Sequence, residues 1–526
     1  MIDAVTLQVL NSALRSICEE MGAALIRSAY STNIKERRDC STALFDASGR
    51  MVAQAEHIPV HLGAMPDAVA AVLREDPQPG DVFILNDPYN GGTHLPDITV
   101  VSPVSSRGSI IAYAASRAHH ADVGGSEPGS MPAASRRLEE EGVVIPPSRL
   151  VAAGELREDF LEGLLAPMRR PRERRGDLRA QLGAGRVAGR RLLELIGRKG
   201  EQTVLAAMDA TLVYSERRMR AAIAGLPDGV CHAVDYLERG SRDLPIAARV
   251  TIAGQELAID FAGTAPQEEG NLNCPLAVTR SACYFVLRAV TDPDIPPNAG
   301  ALSCVSISAP GGSLVNARPP AAVAAGNVET SQRIVDTLLL ALSQLLPLPA
   351  QGQGTMNNLT LGSEETGGPA GEEAARGESG GKPAGGFNYY ETIGGGAGGC
   401  PDRDGASGIH LGMTNTLNTP IEALEMSFPI RVTRYELRGN SGGDGRHRGG
   451  DGLVRSLKLL APARLSLLSD RRRHGPRGAA GGGDGRPGRN LIDGEEVAAK
   501  LTLSLDAGAE VTVKTPGGGG YGRADQ

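Results

Sequence analysis

Five of the nine histidines, His57, His61, His94, His119 and His120, fall within 64 consecutive residues, and Asp87, Asp97 and Asp122 accompany them. They sit in three short stretches, 56–63, 86–97 and 117–125, each punctuated by Gly or Pro. Imidazole nitrogen and carboxylate oxygen together suit a divalent ion such as Mn²⁺ or Zn²⁺, provided three or more ligands converge. His119 and Asp122, three apart on a turn, suit one ion, whereas in an extended chain His120 and Asp122 share a face. Asp87 or His94 completes such a set. The ordinary alternative is that the histidines bond loop backbone and the aspartates cap turns. The spacing matches no zinc-finger or H-E-x-x-H signature, so convergence has to come from the fold.

Other chemistries are less well supported. Two literal G-x-S-x-G matches, around Ser379 and Ser441, lack the strand before and helix after that a nucleophile elbow needs. No G-x-x-x-x-G-K-[ST] phosphate loop exists. The arginines of 169–191 lack aromatic partners for bases and read as a solvated helix face or a subunit contact. Cys40 has basic neighbours that would activate a thiol, but a structural cysteine is the simpler reading. The stretch 326–333 reads as a polar loop entering a helix, with Thr330 or Ser331 as cap. Its amides and hydroxyls suit an anion or a planar amide, and the over-polar stretch 351–358 is either a cavity lining or an ordinary surface loop.

The elements that must position these groups follow from periodicity. Leu7, Leu10, Leu14, Ile17, Met21 and Leu25 recur at three- and four-residue steps, so 1–30 reads as an amphipathic helix. Residues 42–45, 82–85 and 109–115 read as strands, with a turn at 46–49. An arginine-rich helical pattern fills 150–225, a hairpin is expected over 249–261, and helices over 281–290 and 331–346. Residues 362–386 are low in complexity with almost nothing to bury. The organisation expected is 1–150, an α/β region with the His/Asp cluster; 151–228, helical; 229–361, hairpin and helix; 362–386, a loop; and 387–526, Gly-rich β. The fold class is α/β (mixed α+β), large and multi-layered.

The chain has 526 residues and a net charge of −7, so no strong field points to nucleic acid or an anionic membrane. Aromatics are 3% and Trp is absent, which argues for an aliphatic core and against sites built on aromatic stacking. No basic n-region precedes the first helix and no apolar run approaches the ~20 residues of a membrane span. Seven scattered cysteines without a C-x-x-C pair fit a reducing compartment, so the expected location is the cytoplasm.

Several long motifs resemble the hydantoinase B / 5-oxoprolinase family: Ile34-Lys35-Glu36-Arg37-Arg38-Asp39, 55–65, Asn86-Asp87-Pro88-Tyr89-Asn90-Gly91-Gly92-Thr93-His94-Leu95-Pro96-Asp97, 118–125 with 128–132, 326–333, 352–358, 419–422 and 515–522. The resemblance spans nearly the whole chain and is to the stand-alone B subunit of an N-methylhydantoinase, related in turn to acetone and acetophenone carboxylase subunits. It implies a cytoplasmic hetero-oligomer in which a separate hydantoinase A-type subunit binds ATP and phosphorylates a carbonyl oxygen. This chain would then open the ring of a cyclic imide or lactam at a divalent metal, manganese or zinc, with magnesium a further candidate. Carried over residue by residue, the metal ligands are Asp87, His119, His120 and Asp122. His94 and Asp97 lie in the matching motif as acid/base groups or additional ligands; His57 is a further acid/base candidate, and Asn327, Glu329, Thr330 and Asn357 are candidates to contact substrate. Loop amides at 91–92 or 124–125 would stabilise an oxyanion. Two alternatives stay open: an ATP-dependent carboxylase subunit of the acetone/acetophenone type, and a non-catalytic scaffold for the A subunit.

Overall fold

The structure, a computed structural model, describes residues 2–56, 58–363 and 386–524. His57 and nearly all of the 362–386 loop lie outside the described residues. The first helix runs Ala4–Ser28, where Asp3 Oδ1 accepts the amides of Val5 and Thr6 at 3.0 Å and so satisfies two free N–H groups. Its buried stripe, Leu10, Leu14, Ile17, Met21 and Leu25, is the one that the spacing predicts.

That stripe packs on a seven-stranded sheet: β1 (Cys40–Asp46), β2 (Met51–Glu56), β3 (Val82–Leu85), β4 (Asp97–Ser106), β5 (Ser109–His119), β6 (Ser148–Ala152) and β7 (Glu155–Leu156). The order is β2-β1-β5-β4-β3-β6-β7, and every pairing is antiparallel. Asp46 closes the β1–β2 hairpin by accepting from the amides of Ser48 and Arg50. Side chains alternate across β5. Ala112, Ala114 and Ala118 face Ala4–Ser28 and the helix Pro171–Lys199, while Tyr113 and Ala115 face the helix Met65–Leu73. The alanines are small enough to let the helices close on the sheet.

A second sheet, β8 (Gly229–Arg239), β9 (Arg242–Ala253), β10 (Glu256–Asp260) and β11 (Val305–Ser308), contains the expected hairpin; only β10–β11 in it is parallel. Leu237, Ile246, Val250 and Ile259 bury against the helices Leu276–Val290 and Ser331–Leu342. The C-terminal region is β-rich, as its composition suggests. Its strands are β12 (Asn358–Gly362), β13 (Asn388–Glu391), β14 (Ile430–Arg438), β15 (Gly452–Leu459), β16 (Ala463–Leu468), β17 (Arg489–Ile492), β18 (Glu495–Val497), β19 (Lys500–Leu505) and β20 (Glu510–Lys514). They form two sheets, β13-β12-β16-β19 and β14-β15-β20-β17-β18, sharing a core of Leu359, Tyr389, Leu457, Leu465 and Val511. The glycines there bring backbones together: a Cβ on Gly518 would meet Ala397 O at 1.9 Å.

A buried ion network joins the second sheet to the C-terminal region. Arg333 Nη2 donates to Asp470 Oδ1 at 2.9 Å, and Arg471 Nη2 to Asp336 Oδ2 at 2.7 Å and Asp235 Oδ2 at 2.9 Å. The architecture is therefore mixed helix and sheet in several layers.

Candidate metal centre

Asp97 opens β4 directly opposite His119, the last residue of β5, and strand pairing sets the two side chains on one face. His119 Nδ1 lies 3.2 Å from Asp97 Oδ1. Three residues before Asp97, the chain turns so that His94 Nδ1 comes to 2.9 Å from Asp97 Oδ2. The turn folds tightly on itself: a Cβ on Gly92 would sit 2.2 Å from Asn86 O. His61 ends a 3₁₀ turn begun by Pro59, and its Nε2 is 3.4 Å from Asp97 Oδ2. Thr93 Oγ1 donates to Asp97 Oδ2 at 2.6 Å, and His61 Nδ1 pairs with Ser41 Oγ at 3.0 Å.

Three imidazoles thus surround one carboxylate, and all four residues are buried. Asp97 Oδ1, both nitrogens of His94, His61 Nε2 and His119 Nε2 are shut away from solvent without a hydrogen-bond partner. Buried polar atoms left unpaired at this density are costly, and a shared cation satisfies them together. One ligand atom each from His94, Asp97 and His119 lies within 4.8 Å of the others, the separation a common ion requires; no other such group of three occurs among the described residues. Burial pushes the Asp97 carboxyl up, yet the charges of His94 and His61 and the nearby His119 imidazole outweigh it and hold Asp97 well below the usual carboxylate range. Burial lowers His119 against the pull of Asp97, which favours the neutral, metal-ligating imidazole.

The cavity beside the cluster is small, ≈ 10 Å³, room for about one water. Asn327, Met356, Tyr390 and Thr414 complete its walls. Asn327 belongs to a π-helical turn, Gly326–Thr330, that leads into the helix Ser331–Leu342; its Oδ1 is buried and unpaired. Glu329 points away, accepting from Met356 N and Asn358 Nδ2 at 3.1 Å each. Burial raises it to about 7. Asn358 in turn accepts the Tyr390 hydroxyl at 2.7 Å. The Tyr390 ring stacks on His119 at 4.8 Å and carries the Arg37 guanidinium over it at 4.7 Å. An aromatic therefore does wall the site, although so few aromatics argued against it; the stacking is on the imidazole.

Of the expected site residues, His94, Asp97 and His119 come together. Asp87, His120 and Asp122, expected to share the ion with His119, are placed elsewhere and already engaged. Asp87 accepts from Tyr89 N at 2.9 Å and Asn90 Nδ2 at 2.6 Å, which closes a turn. His120 follows His119 and so points through the opposite face of the sheet, where its Nε2 meets Gln181 Oε1 of helix Pro171–Lys199 at 2.9 Å. Asp122 accepts from the amides of Gly124, Gly129 and Arg169 and from Asn388 Nδ2, leaving no oxygen free. Two of the four expected oxyanion donors are engaged: Gly92 N binds Asp87 O and Gly124 N binds Asp122 Oδ1. Thr330 Oγ1 donates to Leu272 O and Asn357 bridges Gln353, Ile393 and Arg472, so both hold loops in place. His61 and Tyr390 were not expected as site residues. His61 had a signal in Pro59, which starts the turn that aims it; Tyr390, 271 residues from His119, had none.

A buried His/Asp centre at one end of an antiparallel sheet, closed over by a distant π-helical turn and a C-terminal strand, defines a mixed-fold protein with an enzyme-like interior site. The chain matches the family described as Hydantoinase B/oxoprolinase over residues 3–524 and belongs to it. An uncharacterized protein of Methanocaldococcus jannaschii is 41% identical over 533 residues, covering 99% of this chain and 91% of that one. 5-Oxoprolinase 1 of Arabidopsis thaliana is 39% identical over 556 residues, covering 99% of this chain but 42% of that protein, so the chain spans about two fifths of the 5-oxoprolinase. Among solved structures, the ATP-dependent caprolactamase from Pseudomonas jessenii superposes with a TM-score of 0.88 at 30% identity, over 99% of this chain and 92% of that one. No helix among the described residues is long and apolar enough to cross a membrane. None of the seven cysteines is in a disulfide.

Proposed function

We propose that this chain is the ring-opening subunit of an ATP-dependent cyclic amidohydrolase of the N-methylhydantoinase / 5-oxoprolinase type. It acts in the cytoplasm with a hydantoinase A-type chain that binds ATP. The observation that carries the reading is the set of unpaired buried donors on His61, His94, Asp97 and His119. A family that includes 5-oxoprolinases, and the likeness to a caprolactamase, point to a cyclic amide as substrate.

The donor set of imidazole and carboxylate fits a divalent ion of the manganese or zinc kind. His94, Asp97 and His119 would hold it, and when bound it would polarise the scissile carbonyl and acidify water. The chain's own groups do the rest. Thr93 holds the Asp97 carboxylate through its hydroxyl and so aims it. His61, with Nδ1 donating to Ser41 Oγ, presents Nε2 as the base that takes the proton from attacking water. As the C–N bond breaks, the proton held on His61 Nε2 passes to the leaving ring nitrogen, which restores the base. Asn327, with its free Oδ1 on the wall of a cavity that holds about one water, would accept from the attacking water and orient it. Tyr390, clamped between Arg37 and His119, fixes the imidazole plane.

The experiment is to co-express the chain with the A-type chain and supply ATP with hydantoin, 5-oxoproline, or acetophenone plus bicarbonate. Ring opening of a cyclic amide that depends on both chains and disappears in Asp97→Ala supports the reading. Carboxylation of the ketone without amide hydrolysis, or full hydrolysis by Asp97→Ala, contradicts it.

A further inference from the structure

Six arginines are fully buried among the described residues: Arg37, Arg117, Arg174, Arg333, Arg455 and Arg471. Taking a guanidinium out of water is costly unless an anion goes with it. Four of the six have one. Arg333 meets Asp470 at 2.9 Å, Arg471 meets Asp336 at 2.7 Å, Arg455 meets Glu391 at 3.0 Å and Arg174 meets Asp177 at 3.7 Å. The other two, Arg37 and Arg117, donate only to neutral oxygens, and both flank the candidate metal centre.

Arg117 stands two residues before His119 on β5, so the two side chains leave the same face of the sheet about 7 Å apart. Its Nε donates to Thr99 Oγ1 at 2.7 Å and its Nη2 to Gly91 O at 2.8 Å, while Nη1 is buried without a partner. Burial lowers it to about 10, against the charges of Asp97 and Asp67, as befits a cation without a contact anion. Asp67 is itself taken by Arg280 at 2.8 Å. Arg37 lies behind another part of the wall, with its guanidinium over Tyr390 at 4.7 Å. Its Nη1 donates to Tyr390 O at 3.3 Å, its Nη2 to Thr392 Oγ1 at 2.9 Å and Thr416 Oγ1 at 3.2 Å, and its Nε is unpaired. Tyr390 and Thr392 both line the cavity.

We infer that Arg37 and Arg117 are specificity-determining residues that select a substrate carrying an oxyanion, either a carboxylate on the ring or a phosphoryl group that the substrate has received. The inference rests on the proposed ring-opening function and names the substrate class for it. The carboxylates on the cavity wall are Asp39 and Asp97. Set against a divalent ion and two guanidiniums, with the histidines neutral, they leave the centre two positive charges in excess. A neutral lactam leaves that excess in place, whereas an oxyanion offsets it. An ionised oxygen is also a stronger acceptor than the threonine hydroxyls and the carbonyl that hold Arg37 now, so it displaces them as it enters. Guanidinium, planar and always charged, suits carboxylate and phosphoryl oxygens alike.

The test is equilibrium dialysis of the chain in complex with a hydantoinase A-type chain, supplied with Mn²⁺ and without ATP. The ligands are 5-oxoproline, pyrrolidinone (the same ring without the carboxylate) and inorganic phosphate. Wild type is compared with Arg37→Met, Arg117→Met, Arg37→Lys and Arg117→Lys, and the metal content of each is measured. The inference expects 5-oxoproline or phosphate to bind at least about tenfold more tightly than pyrrolidinone. That ratio should fall towards one in the methionine variants and recover in part with lysine, and whichever anion shows it identifies the source. Because the ratio compares two ligands on one sample, a misfolded fraction cancels. Equal binding of all three ligands by wild type, which needs no variant, overturns the inference, as does an unchanged ratio in both methionine variants. Arginine-dependent anion binding by a complex that opens no ring amide leaves the inference standing and removes the hydrolase reading. Ring opening with ATP by a complex that binds both lactams equally does the reverse.

Discussion

At the scale of single residues, the site depends on which face of β5 a histidine occupies. His119 and His120 are neighbours in sequence and opposites in space, so alanine at each has a different consequence. His119→Ala removes bound divalent metal from the purified chain, read by elemental analysis, whereas His120→Ala leaves it bound and loses only the contact with Gln181. Equal loss in both would contradict the face assignment. Thr93→Val keeps the shape but frees Asp97 Oδ2, and is expected to weaken metal affinity about 10–100-fold, as removal of an outer hydrogen bond does. An unchanged affinity by competitive chelation would show that Thr93 does not position the carboxylate. The cluster was visible in the sequence as types and spacing, but its membership was not. Asp87, followed by Pro, Tyr, Asn and Gly, carries a turn signature that already accounts for its carboxylate. His119 and His120 were indistinguishable because Ala112, Ala114, Ala115 and Ala118 weaken the strand signal just where its parity decides the matter.

The elements around the site add a dependence on pH. Glu141 is fully buried; its carboxyl accepts from Ser135 Oγ, Val323 N and Ala324 N and so ties the 323–324 stretch, just before the π-helical turn, to the N-terminal region. Burial, opposed by those three bonds, pushes it up from 4.5 to about 7. A native pKa above the unfolded one means the folded state holds the proton more tightly. Its stabilising contribution is therefore complete below about 4.5 and is lost as pH rises to about 7, a change of about 3 kcal/mol. Glu141→Gln should flatten that part of the stability–pH profile in urea unfolding from pH 5 to pH 8; a wild-type slope in the variant would rule the effect out. The helices and the hairpin were legible from periodicity, since Ala4–Ser28 and β9–β10 follow their apolar spacing. The π-helical turn was not: Gly326 admits close approach to Asn273, where a Cβ would meet the carbonyl at 1.8 Å, and no periodic pattern encodes that.

For the whole molecule, the site exists only because regions far apart in sequence are locked together. Asp470 receives Arg333 and Lys500 and bonds Glu238 N, so it joins the C-terminal region to the second sheet. Asp470→Ala takes the paired carboxylate from Lys500 and leaves Arg333 with Asp336 and Asp235; it should cost about 3 kcal/mol, read as a lower denaturation midpoint. A change within about 0.5 kcal/mol would show that the network does not bind the regions together. Composition foretold a mixed fold with a glycine-rich β end, because glycines clustered where backbones approach. It could not foretell that β13 reaches back across 271 residues to lay Tyr390 on His119, since long-range pairing leaves no local trace.

The most direct measurement is anomalous diffraction from crystals of the purified chain, collected on both sides of the absorption edge of the metal it carries. The account requires one strong peak bounded by His94, Asp97 and His119, lost in Asp97→Ala. An ion held instead beside Asp87 or Asp122, or ring-opening activity in a chain whose His94–Asp97–His119 pocket shows no peak, would contradict it.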